Sequence, residues 1–192
     1  MLATANPDKA AEIRAIVAAA VPDLELVLRP PEVPDVEETG ETLLDNARLK
    51  ARALTAATGL PAVADDTGLE VAALGGAPGV HTARYAGADA PDADNVAKLL
   101  AALDGLSGPD RRARFATVVV AAWPDGRELA AEGVVAGRIA EAAAGVGGFG
   151  YDPVFVPDEG DGRTFAEMSP DEKHALSHRG RAVRAWVARL AP

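Results

Sequence analysis

The sequence predicts a mixed fold of helices and strands, α/β or α+β, organised on a mixed β-sheet with flanking helices. Three observations carry this. Helical stretches with recognisable caps alternate with short apolar runs along the whole chain. One pair of strand-like runs, Phe115 to Trp123 and Glu128 to Ile139, is joined by the turn Pro124-Asp125-Gly126. The other strand-like runs are separated by helices and must be linked by crossovers.

Taken in order, the apolar start Leu2-Ala3 leads through Thr4-Ala5-Asn6-Pro7-Asp8-Lys9 into a helix from Ala10 to about Ala20. Asn6 suits the N-cap, and Pro7 the first helical position, where a missing N–H costs nothing. Leu24 to Leu28 alternates like a strand, and the proline-rich Arg29 to Asp35 reads as a loop. Thr42, with Asp45 three residues on, opens a helix that runs to about Thr58 and stops at Gly59. Pro61 to Ala64 is a short buried strand ending in Asp65-Asp66-Thr67-Gly68. A Gly/Pro loop, Gly75 to Gly79, and a helix around Ala93 to Leu103 follow. After the hairpin, the glycine-rich Gly145 to Gly150 leads into Tyr151-Asp152-Pro153 and a strand, Val154 to Val156. Ser169-Pro170-Asp171-Glu172 opens a helix with cap, first-turn proline and capping-box acid. The last helix carries Val183, Trp186, Val187 and Leu190, an i, i+3, i+4, i+7 stripe that faces a core. The chain shows no internal repeat and no flexible linker, and residues 1–192 are expected to form a single domain.

Composition removes several function classes. With 48% hydrophobic residues a sizeable core can be buried, and disorder is not expected. No apolar stretch approaches the ~20 residues that cross a bilayer, and Met1 to Thr4 lacks the zones of a signal peptide. The absence of cysteine excludes disulfides and thiolate chemistry. A cytoplasmic protein with no membrane partner is expected. The net charge of −10 argues against general nucleic-acid binding, though a metal and a local basic patch can still attract a small anion.

Four constellations can carry chemistry. Thr4-x-Asn6-x-x-Lys9 places a hydroxyl, an amide, a lysine and helix N–H groups at one junction, a candidate polyphosphate cradle. Its plainer alternative is a capped helix with a solvated lysine. The acids Glu37-Glu38 and Asp65-Asp66 offer oxygen ligands of the kind magnesium takes. Lys50 and Asn46 lie one helical turn apart after Glu38 and face one way, whereas Glu41 reads as surface charge. In Gly147-Gly148-Phe149-Gly150-Tyr151-Asp152-Pro153, a glycine-flanked aromatic suits stacking on a base, or else plugs a core. Finally, Lys173 and Ser177-His178-Arg179-Gly180, at a break between helices, point several donors into one place. The three histidines form no nucleophile triad, and no zinc spacing is present.

The order and wording of these motifs resemble the inosine/xanthosine triphosphate pyrophosphatase family, its bacterial members best. The resemblance rests on Thr4-x-Asn6-x-x-Lys9, Glu37-Glu38-Thr39-Gly40, Ala64-Asp65-Asp66-Thr67-Gly68-Leu69, Gly75-Gly76-Ala77-Pro78-Gly79, Ala83-Arg84-Tyr85, the segment from Gly147 to Pro153, and Ser177-His178-Arg179-Gly180. It spans almost the whole chain. Two departures stand out: Ala5 replaces the family's glycine, and the first strand is shorter than usual. Alanine requires that the loop avoid positive φ there.

The resemblance implies an elongated, two-lobed α/β protein around a central mixed sheet, a nucleotide cleft between the lobes, and a homodimer. It implies hydrolysis of ITP, dITP and XTP to the monophosphate and pyrophosphate. Asp66 would be the proton acceptor for the attacking water, with Asp65 in support. Mg²⁺ would sit on Glu38 and Asp66, and Mn²⁺ accepts the same oxygen ligands. Thr4, Ala5, Asn6, Asp8, Lys9, Lys50 and Thr67 would serve the phosphates. Phe149, Gly150, Tyr151 and Asp152 would receive the base, with Lys173, His178 and Arg179 as donors to its 6-oxo group. Two rival readings are a Maf-like pyrophosphatase for other nucleotides and a non-catalytic nucleotide sensor.

Overall fold

The computed structural model describes residues 1–190. Its elements run α1 (Pro7–Ala20), α2 (Leu43–Thr58), β1 (Ala62–Val71), β2 (Pro78–Gly79), α3 (Asp92–Ala102), β3 (Arg112–Ala122), β4 (Glu128–Ile139), β5 (Phe155–Pro157), α4 (Pro170–Leu176) and α5 (His178–Val187), with short 3₁₀ turns between them. The strands form one sheet in the order β2-β1-β3-β4-β5. β1 pairs antiparallel with β2, and β4 antiparallel with β5. Leu2 adds parallel bridges to Leu28 and Val63, so both directions occur.

The helix ends form where local chemistry predicts. The Asn6 side chain accepts from the amides of Asp8 and Lys9, closing the first turn of α1 around Pro7. Thr42 accepts from the Asp45 amide to open α2, and Gly59 ends it at φ 68° in the left-handed region that glycine enters freely. At α4 the box is complete, with Ser169 capping Glu172 and Glu172 returning to the Ser169 amide. Among the described residues none other than glycine has a positive φ, so Ala5 is accommodated as required.

Two expectations are corrected. Leu24 to Leu28 is not a strand: among the described residues it pairs through the bridge of Leu28 to Leu2, and one bridge does not make a ladder. Asp65 and Asp66 do not end a short strand either, because β1 continues through both to Val71. A strand tolerates two buried acids when each has cationic partners, and both do.

The described chain divides into two compact units. Met1–Thr67, Thr117–Gly133 and the segment from His178 make the first; Gly68–Ala116 and Val134–Ser177 make the second. In the first unit, alternation along the strands sorts side chains onto two sheet faces. Val63, Val119 and Ala121 pack with Ile13 and Val17 of α1 and Val183 and Trp186 of α5. Ala62, Ala64, Val118 and Val120 pack with Ala47, Ala51 and Leu54 of α2. Gly133 lets α5 lie close on β4, since a Cβ there would come within 2.2 Å of the His178 carbonyl oxygen. The second unit packs Leu69, Val71, Val135 and Ile139 with Leu99 of α3 around Phe155. That ring lies 4.8 Å from Phe115 and 5.2 Å from Phe165.

Candidate active site

The period-two alternation of β1 sends its two acids to opposite faces of the sheet. Asp65 shares the face of Val63 and meets α1 and α5. Asp66 shares the face of Ala64 and meets α2. Adjacent in sequence, they acquire different surroundings.

Asp65 is held as an anion. Arg179 Nε donates to its Oδ2 at 3.3 Å, and Lys9 Nζ lies 3.9 Å from the same oxygen. The guanidinium also donates to Glu12 at 2.5 Å and to the Thr67 hydroxyl at 3.2 Å. Thr67 in turn shares a 2.7 Å hydrogen bond with Thr117. Burial alone would push the Asp65 carboxyl up, but Lys9, Arg179 and Lys50 outweigh it and hold the group far below the ordinary carboxylate range.

Asp66 takes the opposite course. Lys50 Nζ donates to its Oδ1 at 2.8 Å and to Glu38 Oε1 at 2.9 Å, while Asn46 Nδ2 reaches Oδ2 at 3.4 Å. Here burial outweighs the lysine, and the Asp66 carboxyl is raised above its ordinary value. Lys50 itself is pushed down by burial but carried above its ordinary value by Asp66, Asp65 and Glu38. Asn46 also accepts from the Gly40 amide at 2.8 Å. A Cβ on Gly40 would stand 2.7 Å from that Asn46 oxygen, which accounts for glycine after Glu37-Glu38-Thr39.

Glu38 and Asp66 therefore converge on one cationic position, the Lys50 ammonium. Among the described residues, no three or more His, Cys, Asp or Glu side chains gather as a metal-binding group. Two hard carboxylates fit magnesium, which binds one or two protein carboxylates together with substrate phosphates and water.

At the start of α1 the cap is already made. Asn6 Oδ1 takes the Asp8 and Lys9 amides, and Thr4 Oγ1 accepts from the Asn6 amide at 3.1 Å. Ala5, Asn6 and Asp8 are exposed, and Thr4 and Lys9 half-buried. Helix N–H groups expected for a cradle are thus partly taken up by the cap. Burial pushes the Lys9 ammonium down, with Asp65 opposing.

The second unit builds a different cluster. The Phe149 amide donates to Asp152 Oδ2 at 2.8 Å, and Lys173 Nζ donates to the same oxygen at 2.5 Å. Asp152 and Lys173 are both buried, and the lysine lies 4.8 Å from the centre of the Phe149 ring. Gly148, at φ 68°, must be glycine, because a Cβ would fall 2.0 Å from the Asp152 carboxylate. The Gly150 amide donates to Asp92 at 2.6 Å. Tyr151 is a core residue whose hydroxyl donates to the Thr82 carbonyl at 3.0 Å. Burial pushes that phenol well above its ordinary value.

Of the candidate residues, the first unit brings together Glu38, Lys50 and Asp66, and separately Lys9, Asp65, Thr67 and Arg179. Arg179 faces Asp65 rather than standing out as a donor, and His178 is buried at the start of α5. The second unit brings together Phe149, Asp152 and Lys173. Glu12, Thr117 and Asp92 join these clusters without belonging to any of the sequence motifs. Glu12 had a signal, lying one turn beyond Lys9 on the same helix face. Thr117 and Asp92 had none, since their partners are 50 and 58 residues away.

Comparison with known proteins agrees with the motif pattern. A model of the Ham1 family matches residues 1–189. A dITP/XTP pyrophosphatase of Streptomyces coelicolor is 51% identical over 189 residues, covering 97% of this chain and 94% of that one. One of Thermus thermophilus is 50% identical over 191 residues, covering 97% and 89%. Among solved structures, a HAM1 protein from Coxiella burnetii superposes with a TM-score of 0.86 at 43% identity, covering 98% of this chain and 96% of that one. A nucleoside-triphosphatase/dITP/XTP pyrophosphatase from Mycobacterium abscessus gives a TM-score of 0.75 at 45% identity, covering 100% and 96%. With its motifs, its fold and nearly its whole length in agreement, this chain belongs to the Ham1 family.

Proposed function

We propose that this chain hydrolyses non-standard purine nucleoside triphosphates, ITP, dITP and XTP, to the monophosphate and pyrophosphate, cleansing the nucleotide pool. The observation that carries the reading is the contrast between Asp65 and Asp66. Two neighbouring acids whose surroundings drive their proton affinities apart mark a permanent anion and a proton acceptor. Asp66, whose carboxyl burial holds above its ordinary value, is the acceptor. It takes a proton from water, the water oxygen bonds to the α-phosphorus, and the bond from that phosphorus to the bridging oxygen breaks. Pyrophosphate leaves with the bond electrons.

Asp65 stays ionised and holds Lys9 and Arg179 in place. Thr4, Asn6, Lys9 and Lys50 serve the phosphates, with Ala5, Asp8 and Thr67 beside them. Glu38 and Asp66 would hold Mg²⁺, or Mn²⁺, which supplies charge neutralisation for the phosphate oxygens. The purine stacks on Phe149, and Gly150, Tyr151 and Asp152 form the loop that presents it. Donors such as Lys173 and His178 suit a 6-oxo group and leave adenine's amino group facing a donor, a mismatch that discriminates strongly, while Arg179 is engaged with Asp65 and Glu12. The homodimer follows the family resemblance and the cytoplasmic location follows the composition, and residues 1–192 act as one pyrophosphatase domain.

The test is hydrolysis of ITP, XTP, GTP, ATP and dUTP with and without Mg²⁺, scoring pyrophosphate separately from orthophosphate. Metal-dependent pyrophosphate release from ITP and XTP, with ATP and GTP spared, is expected. Orthophosphate as product, or a preference for dUTP, would contradict the reading.

A further inference from the structure

Asp92 opens α3, and nothing in the reaction outlined above uses it. An acid in a first turn ordinarily serves the helix's own amides and dipole. Here its Oδ2 accepts from the Gly150 amide at 2.6 Å, a hydrogen bond that joins residues 58 positions apart. The neighbouring amide, that of Phe149, goes to Asp152. Two consecutive N–H groups flanking the Phe149 side chain are thus each held by a carboxylate. Gly148 and Gly150 lie at φ 68° and 61°, so the backbone on both sides of Phe149 has glycine freedom that something must restrain.

The origin of Asp92 is itself fixed. Asn95, one turn on and buried, accepts from the Ala86 amide at 2.7 Å and donates to the Ala83 carbonyl at 3.2 Å. Tyr151 ties the same stretch from the other side through the Thr82 carbonyl. The first turn of α3 therefore sits on an anchored segment, and Asp92 extends that anchorage to the tip of the aromatic loop.

We infer that Asp92 is a positioning residue for base recognition: by holding the Gly150 amide it fixes the backbone that presents the Phe149 ring. The inference rests on the proposed role of Phe149 as stacking surface. Asp92 touches no reacting atom, so its removal loosens the loop and weakens capture of the base while leaving the chemistry intact.

The test compares full-length wild type, Asp92→Ala and Asp92→Asn. In Asp92→Ala, amide exchange at Gly150, read by NMR, accelerates about tenfold or more, the scale of one hydrogen bond to a charged acceptor. The KM for ITP rises by about the same factor with kcat within about twofold, as expected for lost binding rather than lost transition-state stabilisation. Asp92→Asn keeps an acceptor oxygen and restores most of both. Unchanged Gly150 exchange in Asp92→Ala, an Asn variant as impaired as the Ala variant, or an equal fall of kcat and kcat/KM would overturn the inference. Failure of wild type to release pyrophosphate from ITP would instead sink the proposed function, and the exchange measurement would still decide whether Asp92 holds the loop.

Discussion

The acid cluster of the first unit and the aromatic loop of the second both bury a carboxylate against a cation, yet they use it differently. Around β1, Asp65 and Asp66, together with Glu12, Glu38 and three cations, are arranged on opposite sheet faces, and the outcome is two adjacent acids with divergent proton affinities. Around Phe149, a single pair, Asp152 with Lys173, also takes up a backbone amide and sets the ring beside the ammonium. Charge in the first region tunes a proton; in the second it sets a shape. The two regions should therefore fail in different ways.

The largest expected effect is on chemistry. Asp66→Asn should lower kcat for ITP on the order of a thousandfold, the scale of a lost general base, with nucleotide binding still measurable. Turnover near wild type would remove the distinction between the two acids. The same base gives kcat/KM an acid limb: activity falls as pH drops and Asp66 gains its proton. Burial raises the carboxyl of the metal-free protein, and a cation on the carboxylate would draw that limb to lower pH.

Next comes stability. Arg179→Leu leaves Asp65 buried without its guanidinium, and removing one partner of a buried pair costs about 3–5 kcal/mol. Urea unfolding would show it; a change below about 1 kcal/mol would mean that the Asp65 network is ornamental.

A smaller effect tests the shape region. Phe149→Leu should raise the KM for ITP about fivefold or more, since base–aromatic stacking is worth ~1–3 kcal/mol, with kcat little changed. A fall in kcat alone would place Phe149 with the chemistry instead.

The smallest is an acid dependence of stability. Asp65 has a depressed folded pKa, so its contribution is complete above the ordinary carboxylate range and is lost as pH falls below about 4. Asp65→Asn should flatten that slope in denaturation curves taken from pH 6 downward. An unaltered slope would assign acid lability to other groups.

Much of the fold was legible because the signals are local. Asn6-Pro7, Thr42 with Gly59, and the Ser169–Glu172 box each act within four residues, apart from the helix length between Thr42 and Gly59. The extent of β1 was not legible, because two acids interrupt an apolar pattern and their neutralisation comes from Lys9, Lys50 and Arg179 elsewhere in the chain. For the site, the motifs supplied residue identities but not partners. Arg179 lies 114 positions from Asp65, and no spacing rule turns it toward that acid rather than toward a ligand. Lys50 and Asn46 did converge on Asp66 as helix periodicity indicated, since α2 fixes their common face before any tertiary contact forms.

The central claim is that water activated at Asp66 attacks the α-phosphorus. Hydrolysis of ITP in ¹⁸O-water, with mass spectrometry of both products, tests it most directly. Attack at the α-phosphorus puts the label in the monophosphate and none in pyrophosphate; label in pyrophosphate would place the attack on the β-phosphorus and contradict the claim.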